Sequence, residues 1–130
     1  MASALSDPSS EVVSGFLHAW AAALSIRDFE ALAHLFDETA VFVATGPLPL
    51  LGRAHIQAYY EQAPVGLRVQ ATLLCSTRPL SDLVHGIAEV AFDAPGGIAL
   101  NARLGLSLVQ RRSGWRVSAY QLQAHRPPDR

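Results

Sequence analysis

The chain contains no lysine, and all ten of its basic residues are arginine. Without a lysine amine, Schiff-base catalysis and a lysine general base are excluded. Cys75 is the only cysteine, so no internal disulfide can form, and the count gives no sign of an oxidising compartment. The available chemistry is therefore that of carboxylates, imidazoles, phenols, hydroxyls, one thiol and guanidinium groups.

A strong charge imbalance and a long apolar run are also absent. Eleven acidic residues against ten basic ones give a net charge of -1, which favours neither nucleic acid nor an anionic membrane surface as a partner. No apolar stretch approaches the roughly 20 residues that a membrane span needs. Residues 1–10 are polar and do not have the pattern of a signal peptide. We therefore expect a cytoplasmic protein.

Half of the 130 residues are apolar and 16% are charged, which predicts one globular domain over residues 1–130 with its core at about 11–123. Apolar residues recur at helical spacing in three segments. The first helix follows Pro8, with Ser9 or Ser10 as N-cap; the second begins at Asp28 and ends near Asp37; the third spans Arg53 to Gln62. Their predicted buried faces include Val13, Phe16, Leu17, Trp20 and Leu24 in the first helix, and Phe29, Leu32, Leu35 and Phe36 in the second.

Five strands are predicted, over 39–45, 67–77, 83–92, 98–110 and 115–123. The last four are joined by short turns, which indicate an antiparallel meander. In the first of these four, odd positions from Leu67 to Cys75 form the predicted core face, so Cys75 is expected to be buried. The sequence thus predicts an α+β fold of order α-α-β-α-β-β-β-β, with a curved, mostly antiparallel sheet forming a cone packed on three N-terminal helices.

Four short strings, taken in order, resemble the SnoaL-like and SgcJ/EcaC-type members of the NTF2-like superfamily, which also holds ketosteroid isomerases and polyketide cyclases. The strings are Trp20 to Leu24 before Arg27-Asp28, Leu35-Phe36 before Ala40 to Phe42, Gly52 to Ile56, and Gly114 to Val117. The resemblance implies a homodimer formed through sheet faces and a pocket between sheet and helices. It does not imply one reaction, because this fold hosts many.

The residues that carry ketosteroid isomerase chemistry are replaced in this chain. The resemblance places Ala44 where that enzyme has its carboxylate base, Trp20 where it has a tyrosine, and Leu104 or Leu106 where it has a protonated acid. Removing a positioned base costs about 10²–10⁴ in rate. The isomerase mechanism is therefore not expected here.

The same matching of positions to the family predicts a mostly apolar lining for the cone. Such walls with few polar groups suit a hydrophobic ligand, although buried aromatics such as Phe16 and Phe42 are equally typical of a filled core. The predicted ligand-binding residues are Phe16, Trp20, Phe42, Ile56, Tyr59, Leu104, Ala119 and Gln121.

A polar cluster is predicted on the other face of the sheet. If the turn at 94–97 closes a hairpin in an even-sum register, Glu89 lies opposite Arg103, with His85 and Asn101 on the same face. These groups could hold an anionic substrate, but the apolar side chains of the same strands favour the opposite face for the core. We therefore interpret the four residues as part of a homodimer interface.

The five histidines show no metal-ligand spacing, so neither a metal nor a cofactor is predicted. Two functions remain open. The first is a dimer that binds a small hydrophobic molecule through Trp20, Tyr59 and Gln121 without acid/base catalysis. The alternative is a polyketide cyclase- or isomerase-like enzyme whose polar group comes from a residue that a one-residue register error would misplace.

Overall fold

The computed structural model describes residues 8–124, which form three helices and one curved sheet of six strands. In chain order the elements are α1 (Pro8–Ser25), α2 (Phe29–Ala33), β1 (Phe36–Val43), β2 (Leu50–Leu51), α3 (Arg53–Glu61), β3 (Arg68–Leu80), β4 (Leu83–Ala94), β5 (Ile98–Arg111) and β6 (Gly114–Ala124). The α+β prediction is confirmed, with one addition: the two-residue strand β2 precedes α3.

The strands lie in the order β2-β1-β6-β5-β4-β3. The four long strands β3 to β6 form the predicted antiparallel meander. Strand β1 comes from the first third of the chain, yet it pairs in parallel with the C-terminal strand β6. The helices cover one face of this sheet, which we call the inner face, and the opposite face is the outer face.

Helix α1 buries the predicted apolar face, including Val13, Phe16 and Trp20, against the sheet. It packs especially closely on β4, because a Cβ added at Gly86 would lie 2.7 Å from a methyl group of Val13. The helix begins at Pro8, so Ser9 is not its N-cap. Ser9 is instead buried in the first turn, where its hydroxyl bonds that of Ser76 on β3 at 2.8 Å.

Helix α2 is shorter than the sequence predicted. Asp28 caps it as expected, accepting a hydrogen bond from the Ala31 N–H at 3.1 Å. The helix ends at Ala33, and Phe36 is the first residue of β1 rather than part of a helical face. Phe36 is still fully buried, because the strand directs it into the core.

Two register irregularities change which residues face inward. In β3 the pairing with β4 skips Leu74, so Cys75 is exposed and Ser76 is half-buried, contrary to the prediction for Cys75. In β6 the pairing with β5 skips Ser118. A bulge adds one residue to a strand and reverses the facing of every residue after it.

The inner face carries a continuous aromatic cluster. The rings of Phe42 and Tyr120 stack at 4.3 Å, and Phe36 contacts both of them edge-on or tilted. Trp20 of α1 stacks on Phe16 and meets Tyr120 at 6.1 Å. These rings fill the narrow part of the cone, and the open space lies beyond them.

Candidate functional site

The cone is open at the end of the sheet where β1 and β6 end and β5 begins. A cavity of about 370 Å³ lies there between α3 and the inner face; we call it the cone cavity. Its volume is in the range typical of small-molecule sites. It is lined by Thr45, Tyr59, Tyr60, Gln62, Ala63, Pro64, Leu67, Phe92, Leu100, Tyr120 and Leu122.

Three polar groups are linked at the inner wall of the cone cavity. The Trp20 indole Nε1–H donates to the hydroxyl oxygen of Tyr60 at 3.0 Å. The hydroxyl of Tyr120 lies near that of Tyr60, since each affects the pKa of the other. All three side chains are buried, with Tyr60 and Tyr120 only 4% and 2% exposed.

This network has more protons than it uses. An indole N–H and two phenol O–H groups supply three protons, and contacts among the three groups can use at most two of them. Even where one phenol donates to the other, the second keeps its own proton for a further acceptor. Both phenols line the cone cavity, so a ligand oxygen placed there can take it.

The phenols are neutral donors over the whole ordinary pH range. Burial raises the pKa of the Tyr60 hydroxyl well above its usual value, although the neighbouring Tyr120 hydroxyl and the Trp20 N–H partly oppose this. Burial also raises the pKa of Tyr120, and the neighbouring Tyr60 raises it further. The charged phenolate is disfavoured because the apolar surroundings do not solvate it.

A general base is absent from the described lining of the cone cavity: none of those residues carries a carboxyl, imidazole or thiol group. Ala44, where the resemblance placed the base, is half-buried and cannot titrate. At the rim, the Tyr59 hydroxyl bonds that of Thr45 at 3.2 Å. The cavity therefore offers hydrogen-bond donors to a ligand but no group that could remove a proton at neutral pH.

The predicted lining residues are divided between the cavity, the core and the outer face. Tyr59 lines the cone cavity, whereas Trp20, Phe42, Ile56 and Leu104 face inward but are fully buried in the core behind it. Phe16 lines a different cavity of about 560 Å³ near Trp115, at the other end of the strands.

The inward orientation expected for Ala119 and Gln121 is wrong. Gln121 is exposed, and the inward positions of β6 are Tyr120 and Leu122. The cause is the bulge at Ser118, since Val117 before it is inward and the alternation then shifts by one residue. A phenol thus occupies the place expected for an amide.

Tyr60 and Tyr120 are the polar residues that the sequence prediction missed. Tyr60 lies four residues after Ile56, and helical spacing puts both on the buried face of α3. That signal was present in the sequence. For Tyr120 the local pattern gives no such signal, because its facing depends on the bulge.

A third, charged cavity of about 430 Å³ lies at the end of the sheet opposite the cone cavity, where β1 and β6 begin and β5 ends. Its centre is Asp37, whose carboxylate accepts bonds from Arg111 at 2.7 and 3.1 Å and from the Thr39 hydroxyl at 2.6 Å. The Arg111 guanidinium holds the pKa of Asp37 well below its usual range, although burial opposes this. We call this the arginine cavity; it is lined by Asp37, Glu38, Thr39, Arg53, Arg111, Arg112, Ser113 and Arg116.

On the outer face, the predicted hairpin register is confirmed: Glu89 is paired with Arg103, and Asn101 is opposite Ala91. Arg103 donates from Nε to Glu89 at 2.7 Å. His85 bonds the Ser107 hydroxyl at 2.9 Å. These side chains lie on the face away from the helices, as predicted.

Within residues 8–124, no helix is long and apolar enough to cross a membrane. In the same range, no group of three or more His, Cys, Asp or Glu residues is close enough to hold a metal ion.

Solved structures with the same fold come from several bacteria. A domain of unknown function with a cystatin-like fold from Nostoc punctiforme has a TM-score of 0.82 at 18% identity, covering 94% of this chain and 80% of its own. A ketosteroid isomerase-like protein from Erwinia carotovora atroseptica has a TM-score of 0.71 at 14% identity, and the alignment covers 90% of this chain and 96% of that protein. A candidate scytalone dehydratase from Novosphingobium aromaticivorans has a TM-score of 0.76 at 14% identity, and the alignment covers 90% of this chain and 84% of that protein.

These similarities define the fold as an α+β cone. No curated protein sequence matches the chain significantly. The family model of the SnoaL-like domain matches residues 13–123, and the chain belongs to this family.

Proposed function

We propose that this SnoaL-like protein binds a small, mainly apolar molecule with one hydrogen-bond acceptor, such as a carbonyl oxygen, in the cone cavity. The observation that carries the proposal is the network of Trp20, Tyr60 and Tyr120, which leaves one phenol proton for an acceptor in a cavity with otherwise mostly apolar walls. A buried donor costs free energy when it has no partner. A ligand carbonyl would supply that partner, while a hydrocarbon would not.

Matched probes test this directly. We suggest 2-acetylnaphthalene and 2-ethylnaphthalene, which have similar shapes but differ in the carbonyl oxygen, with binding measured by calorimetry. One hydrogen bond is worth about 1 kcal/mol, so the ketone should bind the natural chain several-fold more tightly than the hydrocarbon.

Variants identify the donor. Tyr60→Phe with Tyr120→Phe removes both hydroxyls and should remove the preference for the ketone, provided that circular dichroism shows the variant to be folded. Tyr59→Phe is the matched control, because its hydroxyl lies at the rim and bonds Thr45; it should keep the preference. If neither probe binds the natural chain, or if both bind equally, the proposal is wrong.

An enzyme of the polyketide cyclase or isomerase type is the second candidate. The observation in its favour is the same buried donor network, since neutral phenols can stabilise a developing oxyanion. The described cavity lining offers no base, so water or a group of the substrate itself would have to accept the proton. Turnover of a ketone substrate by the natural chain, abolished in the double tyrosine variant, would favour the enzyme over a binding protein.

The predicted homodimer and cytoplasmic location remain part of this proposal. Ile87 on the outer face is half-buried and extends to within 3.8 Å of a Cβ position at Gly105, so this face combines apolar and polar groups near the Glu89–Arg103 pair. Ile87→Asp should convert a dimer into a monomer in analytical ultracentrifugation. Ile26→Asp, at a residue that is 73% exposed beyond the end of α1, is the control and should not. A natural chain that is already monomeric would contradict the dimer.

A further inference from the structure

The arginine cavity carries an excess of positive charge. Four arginines face two carboxylates in its lining, an excess of two positive charges, although the whole chain has a net charge of -1. The carboxylates do not neutralise all four cations, because each is engaged by one arginine. Asp37 is saturated by Arg111 and Thr39, and Glu38 lies 3.6 Å from Arg53.

Two arginines therefore have no anionic partner among the described residues. Arg112 is exposed, and within residues 8–124 it makes no ion pair or hydrogen bond. Arg116 donates from its two terminal nitrogens to the carbonyl oxygens of Trp115 and Ser113, at 2.8 and 3.1 Å. Both guanidinium groups line the same cavity.

The guanidinium of Arg116 is held in place by the turn before β6. Gly114 has φ of 122°, and a Cβ there would lie 3.2 Å from a terminal nitrogen of Arg116. The turn thus leaves room for the guanidinium to fold back over it. The Nε atom of Arg116 is buried and has no hydrogen-bond partner in the described structure. A buried N–H without an acceptor is costly, and an acceptor would relieve that cost.

We propose that the arginine cavity binds a phosphate group, with Arg112 and Arg116 as its main ligands. A phosphate monoester is mostly dianionic at neutral pH, which matches the excess of two positive charges. Guanidinium groups pair with its oxygens through charge-assisted hydrogen bonds. This site is separate from the cone cavity, since the two lie at opposite ends of the sheet. A free phosphate anion and an organic monoester share this recognition chemistry, and the titrations below distinguish them.

The test is a calorimetric titration with inorganic phosphate and, separately, with phenyl phosphate, at constant ionic strength set with chloride. Arg112→Gln should weaken phosphate binding at least about tenfold, because it removes a charge-assisted contact. Arg68→Gln is the matched control: it makes the same charge change at an exposed residue of β3, the strand at the far edge of the sheet, and should change affinity less than twofold.

A second variant, Arg116→Lys, keeps the charge but removes Nε and should also weaken binding if the chain stays folded. The double tyrosine variant of the cone cavity should bind phosphate like the natural chain, which separates this proposal from the previous one. Tighter binding of phenyl phosphate than of inorganic phosphate would assign the site to an organic monoester, and the reverse would assign it to the free anion. No binding beyond that of chloride, or equal losses in Arg112→Gln and Arg68→Gln, would overturn the proposal.

Discussion

Polar groups lie beside the apolar core at both ends of the sheet, but they are neutral at one end and charged at the other. At the cone cavity the polar groups are phenols and an indole, which burial keeps neutral. At the arginine cavity they are a carboxylate and guanidinium groups, and the carboxylate Asp37 stays charged because Arg111 lowers its pKa more than burial raises it. The difference shows that the partner, and not burial alone, decides whether a buried acid is neutral. It is also why we propose a neutral ligand at one end and an anionic ligand at the other.

The largest expected effect comes from removing part of the aromatic core behind the cone cavity. Phe42 is fully buried and stacks on Tyr120 at 4.3 Å. Phe42→Ala should therefore lower the free energy of unfolding by about 3–5 kcal/mol, measured by urea denaturation. Leu48→Ala, at a residue that is 74% exposed, is the control and should change it by less than about 0.5 kcal/mol. A loss below about 1 kcal/mol for Phe42→Ala would mean that the cluster repacks.

The next effect concerns the charged end. Asp37→Asn weakens two bonds from Arg111, and we expect a loss of about 2–3 kcal/mol at pH 7. The pKa of Asp37 in the folded chain lies below its ordinary value of 3.8. Asp37 therefore contributes its full stabilisation at pH values above 3.8, and this stabilisation is lost as the pH falls further below 3.8.

Urea denaturation at several pH values checks this sign. The difference between the natural chain and Asp37→Asn should be constant near neutral pH and should shrink in acid. A difference that grows in acid would contradict the assignment of a charged Asp37.

A smaller effect is expected for Tyr60→Phe, which removes the acceptor of the Trp20 N–H. Leaving that donor buried without a partner should cost about 1–2 kcal/mol. Tyr59→Phe removes a hydroxyl from the rim and should cost less. Equal losses in the free energy of unfolding for the two variants would show that the inner network contributes no more to stability than the hydroxyl at the rim.

The smallest effect is expected at the outer face. The side chains of Arg103 and Glu89 are 57% and 31% exposed, compared with 7% for Asp37. Exposed ion pairs contribute little, so Arg103→Gln should cost at most about 1 kcal/mol, and less at high salt. A larger loss that depends on protein concentration would show that a second subunit covers this face, as the dimer proposal requires.

The sequence predicted the elements better than the facing of their residues. The buried face of α1, the cap at Asp28 and the turns between the long strands follow from local spacing and turn chemistry, and the structure confirms them. Cys75 and Gln121 were placed wrongly for a shared reason, because each follows a bulge in its strand.

A bulge depends on the pairing with the neighbouring strand, so a single strand's pattern cannot locate it. This has a direct effect on the site. Inward-facing Tyr120 results from the bulge at Ser118, and the donor network depends on Tyr120. Neither cavity could be located from local patterns, since each gathers residues from distant parts of the chain.

The parallel pairing of β1 with β6 has a consequence for how the chain reaches its folded state. Phe42 and Tyr120, which pair across these strands, are far apart in sequence, so the loop between them must close before β1 joins the sheet. Folds dominated by such distant contacts fold slowly for their size. During synthesis the helices and part of the meander would emerge from the ribosome first. The aromatic cluster could form only after β6 had emerged. We therefore expect the nascent chain to expose apolar surface for most of its synthesis and to depend on rapid completion, or on chaperones, to avoid aggregation.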